Sequence, residues 1–380
     1  MSPNYIKPSV NLDEISPHLE ESLNFCKTNS LTYVELRTLE GKNLVNFTGD
    51  EIDQLKAKLM RGGYRVSAIA SPLFKWLPYG YENYKPLRNI DTFGVPIVLT
   101  LDEKKAMIRR LIEYAGALQA QYIRIFSSLD VEGLSELPQQ ELDLFTYASE
   151  LATTHSVQLL LENEPVAFGH KYEDYLALLT RLESMGIAAW FDIANLYELS
   201  TPVSTSMLRR VANYINYIHV KDPISLGVHK FVPFGEGYIN YKRIFADLVP
   251  LLTKDVFLSI ETHAKRNKIE STQISLDNLT KLLATDITGI GLYGSFDWCM
   301  TKILQLSSSD TIAIRAAMCP DTESSIRIAL IADAPYISDT ISMVEDEKIS
   351  TVHIQTRAPG AKDLLAHIQK VRPDVNLISG

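Results

Sequence analysis

The sequence predicts a (β/α)8 barrel followed by a small Rossmann-like α/β domain. Short apolar runs of strand length alternate with amphipathic helical segments over about 285 residues, which is the length and pattern of such a barrel. The alternation then restarts, and a closed barrel has no room for further strands. A chain of 380 residues with 46% hydrophobic content can bury both cores. We therefore expect a barrel at 1–285 and a second domain at 286–380.

The first four β/α units follow this pattern closely. Their strands are expected at 9–11, 31–37, 64–72 and 120–128, and their helices at 16–27, 49–63, 102–119 and 140–155. A long connection rich in aromatic residues, 73–101, separates the third strand from its helix, and loops of this length often cover a site. Its aromatic residues could equally pack on the barrel rim. We single out Lys75 and Trp76 as candidate substrate contacts.

The last four strands each end in a side chain that can bind a metal. They are VQLLLENEP with Glu162, AAWFDIANL with Asp192, INYIHVKDP with His219 and DVFLSIETH with Glu261, followed by helices at 172–184, 205–213, 241–252 and 276–284. Parallel barrel strands bring their carboxyl ends to one face, and a buried charge is costly unless it is paired or bound to a cation. Each residue alone could form a salt bridge or a core contact. The four together predict one divalent-cation site, for Mn²⁺, Mg²⁺, Co²⁺ or Zn²⁺.

Composition argues against several other classes of protein. The net charge of −9 disfavours an electrostatically driven nucleic-acid binder. The chain has no apolar leader and no apolar run of about 18 residues, so we expect a cytoplasmic protein without a membrane partner. Cys26, Cys299 and Cys319 lack the spacing of a thiolate site or a disulfide framework. The expected partner is a small-molecule substrate, and a homo-oligomer is left open.

The motifs LLLENEP, WFDIANLY, YIHVKDP, PFGEGYINY and VFLSIETHAK resemble the xylose-isomerase-like barrel family of sugar isomerases and epimerases, which also includes endonuclease IV. The resemblance implies that Glu162, Asp192, His219 and Glu261 hold one divalent metal. In the epimerase branch, Glu162 and Glu261 also exchange a proton with the substrate. This chemistry is reasonable because a metal polarises a carbonyl and stabilises an enediolate while one glutamate removes a proton and the other returns one. The expected substrate is a small keto-sugar, cyclitol ketone or hydroxy-carbonyl compound.

Two departures from the family pattern narrow the expected chemistry. Asn195 stands where the family commonly has a histidine, three residues after the aspartate of the sixth strand. Where endonuclease IV completes a three-metal cluster with an aspartate and a histidine, this chain offers His229 and Phe231. A phosphodiesterase would therefore lack ligands. A metal-dependent dehydratase and a non-catalytic binding protein remain alternatives to the isomerase.

Further residues near the predicted site are candidates for substrate binding. Lys221, Lys230 or His229 could face an oxyanion or a phosphate, although each could also be a solvated surface group. Asn195 is included because it lies close to Asp192 in the sequence. These expectations rest on position alone.

The segment after residue 286 resembles the N-terminal half of the glucose-fructose oxidoreductase and inositol dehydrogenase family, through GIGLYG and ISMVEDEKISTVHIQTRAP. The pattern of Gly289, Gly291 and Gly294 formally matches GxGxxG, but Ser295 and Phe296 follow the turn where a pyrophosphate needs close approach to the backbone. The expected position of a ribose-binding acid is Pro320, beside Asp321. NAD(P) is thus not expected, and docking, dimerisation or an accessory role is favoured. The predicted elements include a helix across TESSIRIALIAD.

Overall fold

The computed structural model describes residues 6–284, together with 290–292, 315–316, 325–330, 351–356, 370 and 376–379. The chain divides into two compact units. The larger comprises Ile6–Ile239 and Lys254–Leu279, and the smaller contains Asn240–Thr253 and the described residues from Thr280 onward. The predicted domain boundary at residue 285 lies outside the described residues. Within the described part of the chain, no helix is both long and apolar enough to span a bilayer.

The larger unit is built on an eight-stranded parallel sheet. Its strands are β1 (Ile6–Val10), β2 (Tyr33–Leu36), β3 (Arg65–Ile69), β4 (Tyr122–Ile125), β5 (Gln158–Glu162), β6 (Ala188–Asp192), β7 (Ile215–Val220) and β8 (Val256–Ile260). The spatial order is β1-β8-β7-β6-β5-β4-β3-β2. A parallel bridge between Asn11 and Glu35, just beyond the end of β1 and within β2, brings the two outermost strands together. The predicted barrel is confirmed.

Helices follow the strands in the predicted alternation, with one additional short helix, Ile193–Glu198, that the sequence analysis did not predict. They are α1 (Leu19–Thr28), α2 (Gly49–Arg61), α3 (Leu101–Ala117), α4 (Gln139–Thr154), α5 (Tyr172–Leu182), α6 (Ile193–Glu198), α7 (Thr205–Val211), α8 (Tyr241–Leu248) and α9 (Lys268–Ala284). Capping boxes at Thr48 and Thr100 fix the starts of α2 and α3. Helix α9 begins eight residues before the predicted start at Leu276. The buried face of its first turns carries the polar residues Thr272 and Ser275. The apolar periodicity that predicts a helix is therefore absent there.

The barrel interior has an aromatic layer below the candidate site. Trp190 and Tyr217 stack with ring centroids 3.9 Å apart, and Tyr217 also stacks on Phe257 at 5.8 Å. Because side chains alternate along a strand, the inward residues two positions further on are Asp192, His219 and Ser259. His219 is in register with both Asp192 and Ser259 on its neighbouring strands. The topology therefore places polar side chains together above an apolar floor.

The smaller unit contains a five-stranded sheet. Its strands are β9 (Ile290–Leu292), β10 (Arg315–Ala316), β11 (Ser325–Leu330), β12 (Thr351–Thr356) and β13 (Asn376–Ser379), in the order β10-β9-β11-β12-β13. The helix predicted across TESSIRIALIAD is wrong for Ser325–Leu330. There, Ile326, Ile328 and Leu330 recur with the period of a strand.

The strand directions in this sheet differ from those expected for half of a Rossmann-like domain. Strand β9 runs antiparallel to β11, whereas such a half has a parallel sheet. Gly291 lies in β9. The other residues of the predicted nucleotide motif, namely Gly289, Gly294, Ser295, Phe296, Pro320 and Asp321, lie outside the described residues.

Candidate metal centre and active site

Four side chains from neighbouring strands meet at the carboxyl ends of β5 to β8. Donor atoms of Glu162, Asp192 and His219 all lie within 4.8 Å of one another. His219 Nδ1 is 3.9 Å from Glu162 Oε1, 4.0 Å from Asp192 Oδ2 and 3.2 Å from Glu261 Oε2. All four residues are buried. The four predicted ligands therefore surround one small space.

The donor atoms in this space fit a divalent cation. Glu162 Oε2, Asp192 Oδ2 and His219 Nδ1 are buried and make no hydrogen bond of normal geometry. Their close neighbours are charged groups instead, namely Arg124 at 3.1 Å, Lys221 at 3.0 Å and Glu261 at 3.2 Å, respectively. Carboxylate oxygens and an imidazole nitrogen are ligands for Mn²⁺, Mg²⁺, Co²⁺ and Zn²⁺ alike. The set accommodates a metal without selecting one.

Glu35, which the sequence analysis missed, orients the imidazole of His219. Glu35 lies in β2, and its Oε2 is 2.9 Å from His219 Nε2 while also accepting a hydrogen bond from the Tyr217 hydroxyl at 2.9 Å. This leaves Nδ1 facing the centre, and a carboxylate behind a ligating histidine is the usual way of fixing such a ring. Burial lowers the pKa of His219, but Glu35 and Glu261 outweigh it and raise that pKa to about 10. The metal-free imidazole is therefore protonated at neutral pH.

Glu261 is surrounded by positively charged groups. Its Oε1 accepts a hydrogen bond from Arg37 at 2.6 Å, and its Oε2 lies 3.4 Å from Lys221 Nζ and 3.0 Å from His263 Nε2. Burial alone would raise the pKa of Glu261, but His263, His219 and Lys221 bring it well below the usual range. Glu261 is therefore held as a carboxylate.

Glu162 has weaker compensation for its charge. Its Oε2 lies 3.1 Å from Arg124 NH1. Burial raises the pKa of Glu162 to about 7, although Arg124 acts in the opposite direction. The pKa values of the two glutamates of the site are therefore shifted in opposite directions, upward for Glu162 and downward for Glu261.

Arg37 and Arg124 are residues of the candidate site that the sequence analysis also missed. Arg124 is buried within β4, and Arg37 follows β2, where it contacts Asp13 and Glu14 in addition to Glu261. The sequence does contain a pattern that could have identified Arg124 and Glu35 as site residues. Both are charged residues inside apolar strands, as Glu162 is. Their partners come from distant strands, which sequence spacing does not reveal.

Three of the predicted substrate-binding residues lie among the site residues. Lys221 Nζ is 3.0 Å from Asp192 Oδ2. Asn195 is buried, its backbone amide donates to Asp192 Oδ1 at 3.1 Å, and its Nδ2 has no hydrogen-bond partner. Lys75 is buried and its Nζ donates to Glu164 Oε1 at 3.0 Å. Lys75, Lys221 and Asn195 therefore remain candidates for substrate contact.

The other predicted substrate-binding residues lie in different surroundings. Trp76 is 1% exposed and donates through Nε1 to Glu141, so its burial does not support contact with a substrate. Lys230 is exposed, and so is His229, which contacts Glu198 Oε2 at 2.7 Å. They belong to the connection of a short hairpin, in which Asp222–Pro223 pairs with Phe231–Val232, and the Phe231 ring lies 5.5 Å from Lys221 Nζ. A role for His229 or Lys230 would be confined to the mouth of the site.

Comparison with known proteins identifies the family of the chain. Residues 23–282 match the xylose isomerase-like TIM barrel family, and the chain belongs to that family. An L-ribulose-5-phosphate 3-epimerase of Escherichia coli is 24% identical over 234 residues, which cover 60% of this chain and 76% of the epimerase.

Solved structures share the fold. The IOLI protein with a bound zinc atom superposes with a TM-score of 0.59 at 15% identity, covering 73% of this chain and 98% of that one. A probable 3-DHS dehydratase from Bacillus anthracis gives a TM-score of 0.55 at 16% identity, covering 72% of this chain and 98% of that one. At such identities the likeness concerns the fold alone.

Proposed function

We propose that this protein is a divalent-metal-dependent isomerase or epimerase of a small keto-sugar, cyclitol ketone or related hydroxy-carbonyl compound. The observation that carries the proposal is the convergence of Glu162, Asp192, His219 and Glu261 at adjacent strand ends. Membership of the family and the likeness to a sugar-phosphate epimerase support the same class of reaction. When held by these four residues, a cation would polarise the substrate carbonyl and make the neighbouring C–H bond more acidic.

The two glutamates are the groups proposed to move the proton. Glu261 is kept ionised by its cationic neighbours, which suits it to accept a proton from the carbon next to the carbonyl. Glu162, at the end of β5 and 3.1 Å from Arg124 NH1, is the group proposed to return a proton to the substrate. In the reverse direction the two roles exchange. Lys221 lies between the aspartate and Glu261 and is suited to stabilise negative charge on a substrate oxygen.

A dehydratase of a similar substrate is the second candidate. A solved structure of the same fold is a probable 3-DHS dehydratase, and the same two groups would serve: Glu261 would remove the proton and Glu162 would protonate the departing hydroxyl. The substrate would then lose water, whereas an isomerase or epimerase conserves its mass. Mass spectrometry of the product separates the two reactions.

A phosphodiesterase with three metals receives less support. Among the described residues, one group of side chains meets the geometric requirement for a metal, and it is the triad already described. Phe231 offers no ligand atom, and His229 is turned to Glu198. A non-catalytic binding protein is tested by metal analysis: after dialysis and addition of Mn²⁺, the absence of any bound ion would refute both enzyme hypotheses.

The test of the proton transfer is exchange with solvent. We expect keto-sugars or inosones incubated in heavy water with Mn²⁺ and the protein to gain deuterium next to the carbonyl. Glu162→Gln and Glu261→Gln should each lower that exchange about 100- to 10,000-fold, because each removes one acid or base. Glu173→Gln, which alters an exposed ion pair with Arg210, should exchange as the wild type does. Exchange retained in either active-site variant would refute the two-glutamate mechanism.

A further inference from the structure

One aromatic residue of the long connection lies over the candidate site. The ring centroid of Phe93 is 4.3 Å from Lys75 Nζ, 5.6 Å from Arg124 Cζ and 5.7 Å from Arg37 Cζ. These three cations contact Glu164, Glu162 and Glu261 respectively. Arg37 contacts Glu261 and Arg124 contacts Glu162, so a ring within 6 Å of both guanidinium carbons lies next to the residues that form the site.

The backbone of Phe93 is strained in this position. Its φ of 53° is in the left-handed region, which is unfavourable for a bulky residue. Phe74, in the same connection, also has a positive φ of 65°, but it is buried and stacked on Phe145. Phe93 is partly exposed, and its ring contacts are with the three cations. The positive φ of Phe74 is therefore associated with packing in the core, whereas that of Phe93 is associated with a ring beside the candidate site.

Beneath Phe93 lies an ion pair that the proposed proton transfer does not use. Lys75 Nζ donates to Glu164 Oε1 at 3.0 Å, and the Glu164 side chain keeps 17% of its surface exposed. Glu164 follows Glu162 by two positions, and Lys75 Nζ also lies 5.0 Å above the ring of Phe126. The pair thus presents a donor and an acceptor beside the metal-binding residues, under an aromatic face.

We propose that Phe93, Lys75 and Glu164 form a subsite for the uncharged, hydroxyl-bearing end of the substrate, and that this subsite selects against a phosphorylated end. A hydroxyl both donates and accepts, so it can bridge an ammonium and a carboxylate, while the C–H face of the carbon chain packs on the ring. A phosphate dianion offers acceptors only. It would face the charge of Glu164, and all three cations under Phe93 already contact carboxylates.

The inference rests on the proposed function, because the metal fixes the reacting end of the substrate. The test therefore uses two matched probes that chelate a metal through a hydroxamate: D-erythronohydroxamate and its 4-phosphate ester. Their dissociation constants are measured by calorimetry on the Mn²⁺-loaded full chain. We expect the neutral probe to bind at least about tenfold more tightly, a difference of about 1.4 kcal/mol.

Variants test each part of the subsite. Glu164→Gln should reduce the preference for the neutral probe at least fivefold, because it removes the repelling charge and releases Lys75. Phe93→Leu should weaken the neutral probe at least fivefold, whereas Tyr79→Leu, an exposed aromatic position in the same connection, should not. Thermal unfolding checks that each variant is folded, and Phe93→Leu still decides the question if Glu164→Gln does not fold.

The outcomes separate the two proposals. A prior titration with Mn²⁺ alone tests the metal site, and its failure would refute the proposed function and the subsite together. If Mn²⁺ binds, then tighter or equal binding of the phosphorylated probe, binding of neither probe, or wild-type affinity in Phe93→Leu would refute the subsite only.

Discussion

At the scale of single residues, protons and a cation compete for the same atoms. His219 Nδ1 and the Glu162 carboxylate face the centre, and a metal binds the deprotonated form of each. Glu35 and Glu261 raise the pKa of His219 to about 10, and burial raises that of Glu162 to about 7. Metal binding must therefore release protons at neutral pH.

We accordingly expect the affinity for Mn²⁺ to rise with pH. Between about pH 7 and pH 9 only the imidazole proton must leave, so the dissociation constant should fall about tenfold per pH unit. Below about pH 7 Glu162 also holds a proton, and the dependence should steepen. Titrations of the metal-free protein by calorimetry in two buffers of different ionisation enthalpy measure both the affinity and the protons released.

Glu35→Gln is the matched variant for this prediction. It keeps a hydrogen-bond acceptor near His219 Nε2 but removes the charge that raises the imidazole pKa. The pH dependence should then shift to lower pH, and the affinity should fall about 10- to 100-fold because the ring is less firmly oriented. An affinity independent of pH from 6 to 9 in the wild-type protein would contradict the proton competition.

The residues of the site show what sequence could and could not give. Glu162, Asp192, His219 and Glu261 are predictable because each ends a recognisable apolar strand, and topology brings such ends together. Glu35 and Arg124 carry the same signal, a charge inside an apolar strand, but their roles depend on partners across the barrel. The place of Phe93 over the site depends on how an irregular connection folds, and no periodicity describes that.

At the scale of elements, a buried carboxylate anchors the long connection. Glu141, in α4, contacts Lys104 of α3 and accepts hydrogen bonds from Trp76 Nε1, the Tyr79 amide and the Ser128 hydroxyl, each at 3.0 Å. Trp76 and Tyr79 both belong to the connection that carries Phe93. The network therefore ties this connection to two helices of the barrel.

We expect Glu141→Gln to destabilise the protein by about 3–5 kcal/mol, because it leaves Lys104 as a buried charge without compensation. Urea unfolding of the wild type and the variant measures the loss. Glu173→Gln removes one partner of an exposed pair with Arg210 and should cost less than about 1 kcal/mol. Equal effects of the two substitutions would show that the Glu141 network does not anchor the connection.

Elements were predictable where one face is uniformly apolar. Seven of the eight barrel strands and most helices meet this condition, so their positions follow from periodicity. Strand β1 does not: it begins at Ile6, three residues before the predicted start at Ser9, because Lys7, Pro8 and Ser9 interrupt its apolar pattern. The first turns of α9 do not, because Thr272 bonds to the Glu14 carbonyl and Ser275 accepts from the Phe234 amide on the buried face. In β11 the alternating run is only six residues long, which is less than two helical turns, so periodicity does not distinguish a strand from a helix there.

At the scale of the whole molecule, a cation held at the proposed centre would couple the site to the stability of the barrel. Four strands end at the site, and Glu162 Oε2, Asp192 Oδ2 and His219 Nδ1 are buried there without a hydrogen bond of normal geometry. The donor positions come from β5, β6 and β7, so the set exists only when these strands are assembled. An ion that binds the folded chain and not the unfolded one must shift the unfolding equilibrium.

We expect Mn²⁺ at about 100 times its dissociation constant to stabilise the fold by about 2.7 kcal/mol. For domains of about this size that corresponds to a rise in Tm of about 5–10 °C, measured by calorimetry with and without a chelator. Asp192→Asn is the matched control, because an amide oxygen can still accept the Asn195 amide that caps α6 while the ligand charge is lost. The rise should largely vanish in Asp192→Asn and persist in the surface variant Glu173→Gln. A rise that survives Asp192→Asn would mean that the cation stabilises the protein from another position, and the assignment of the metal centre would then be wrong.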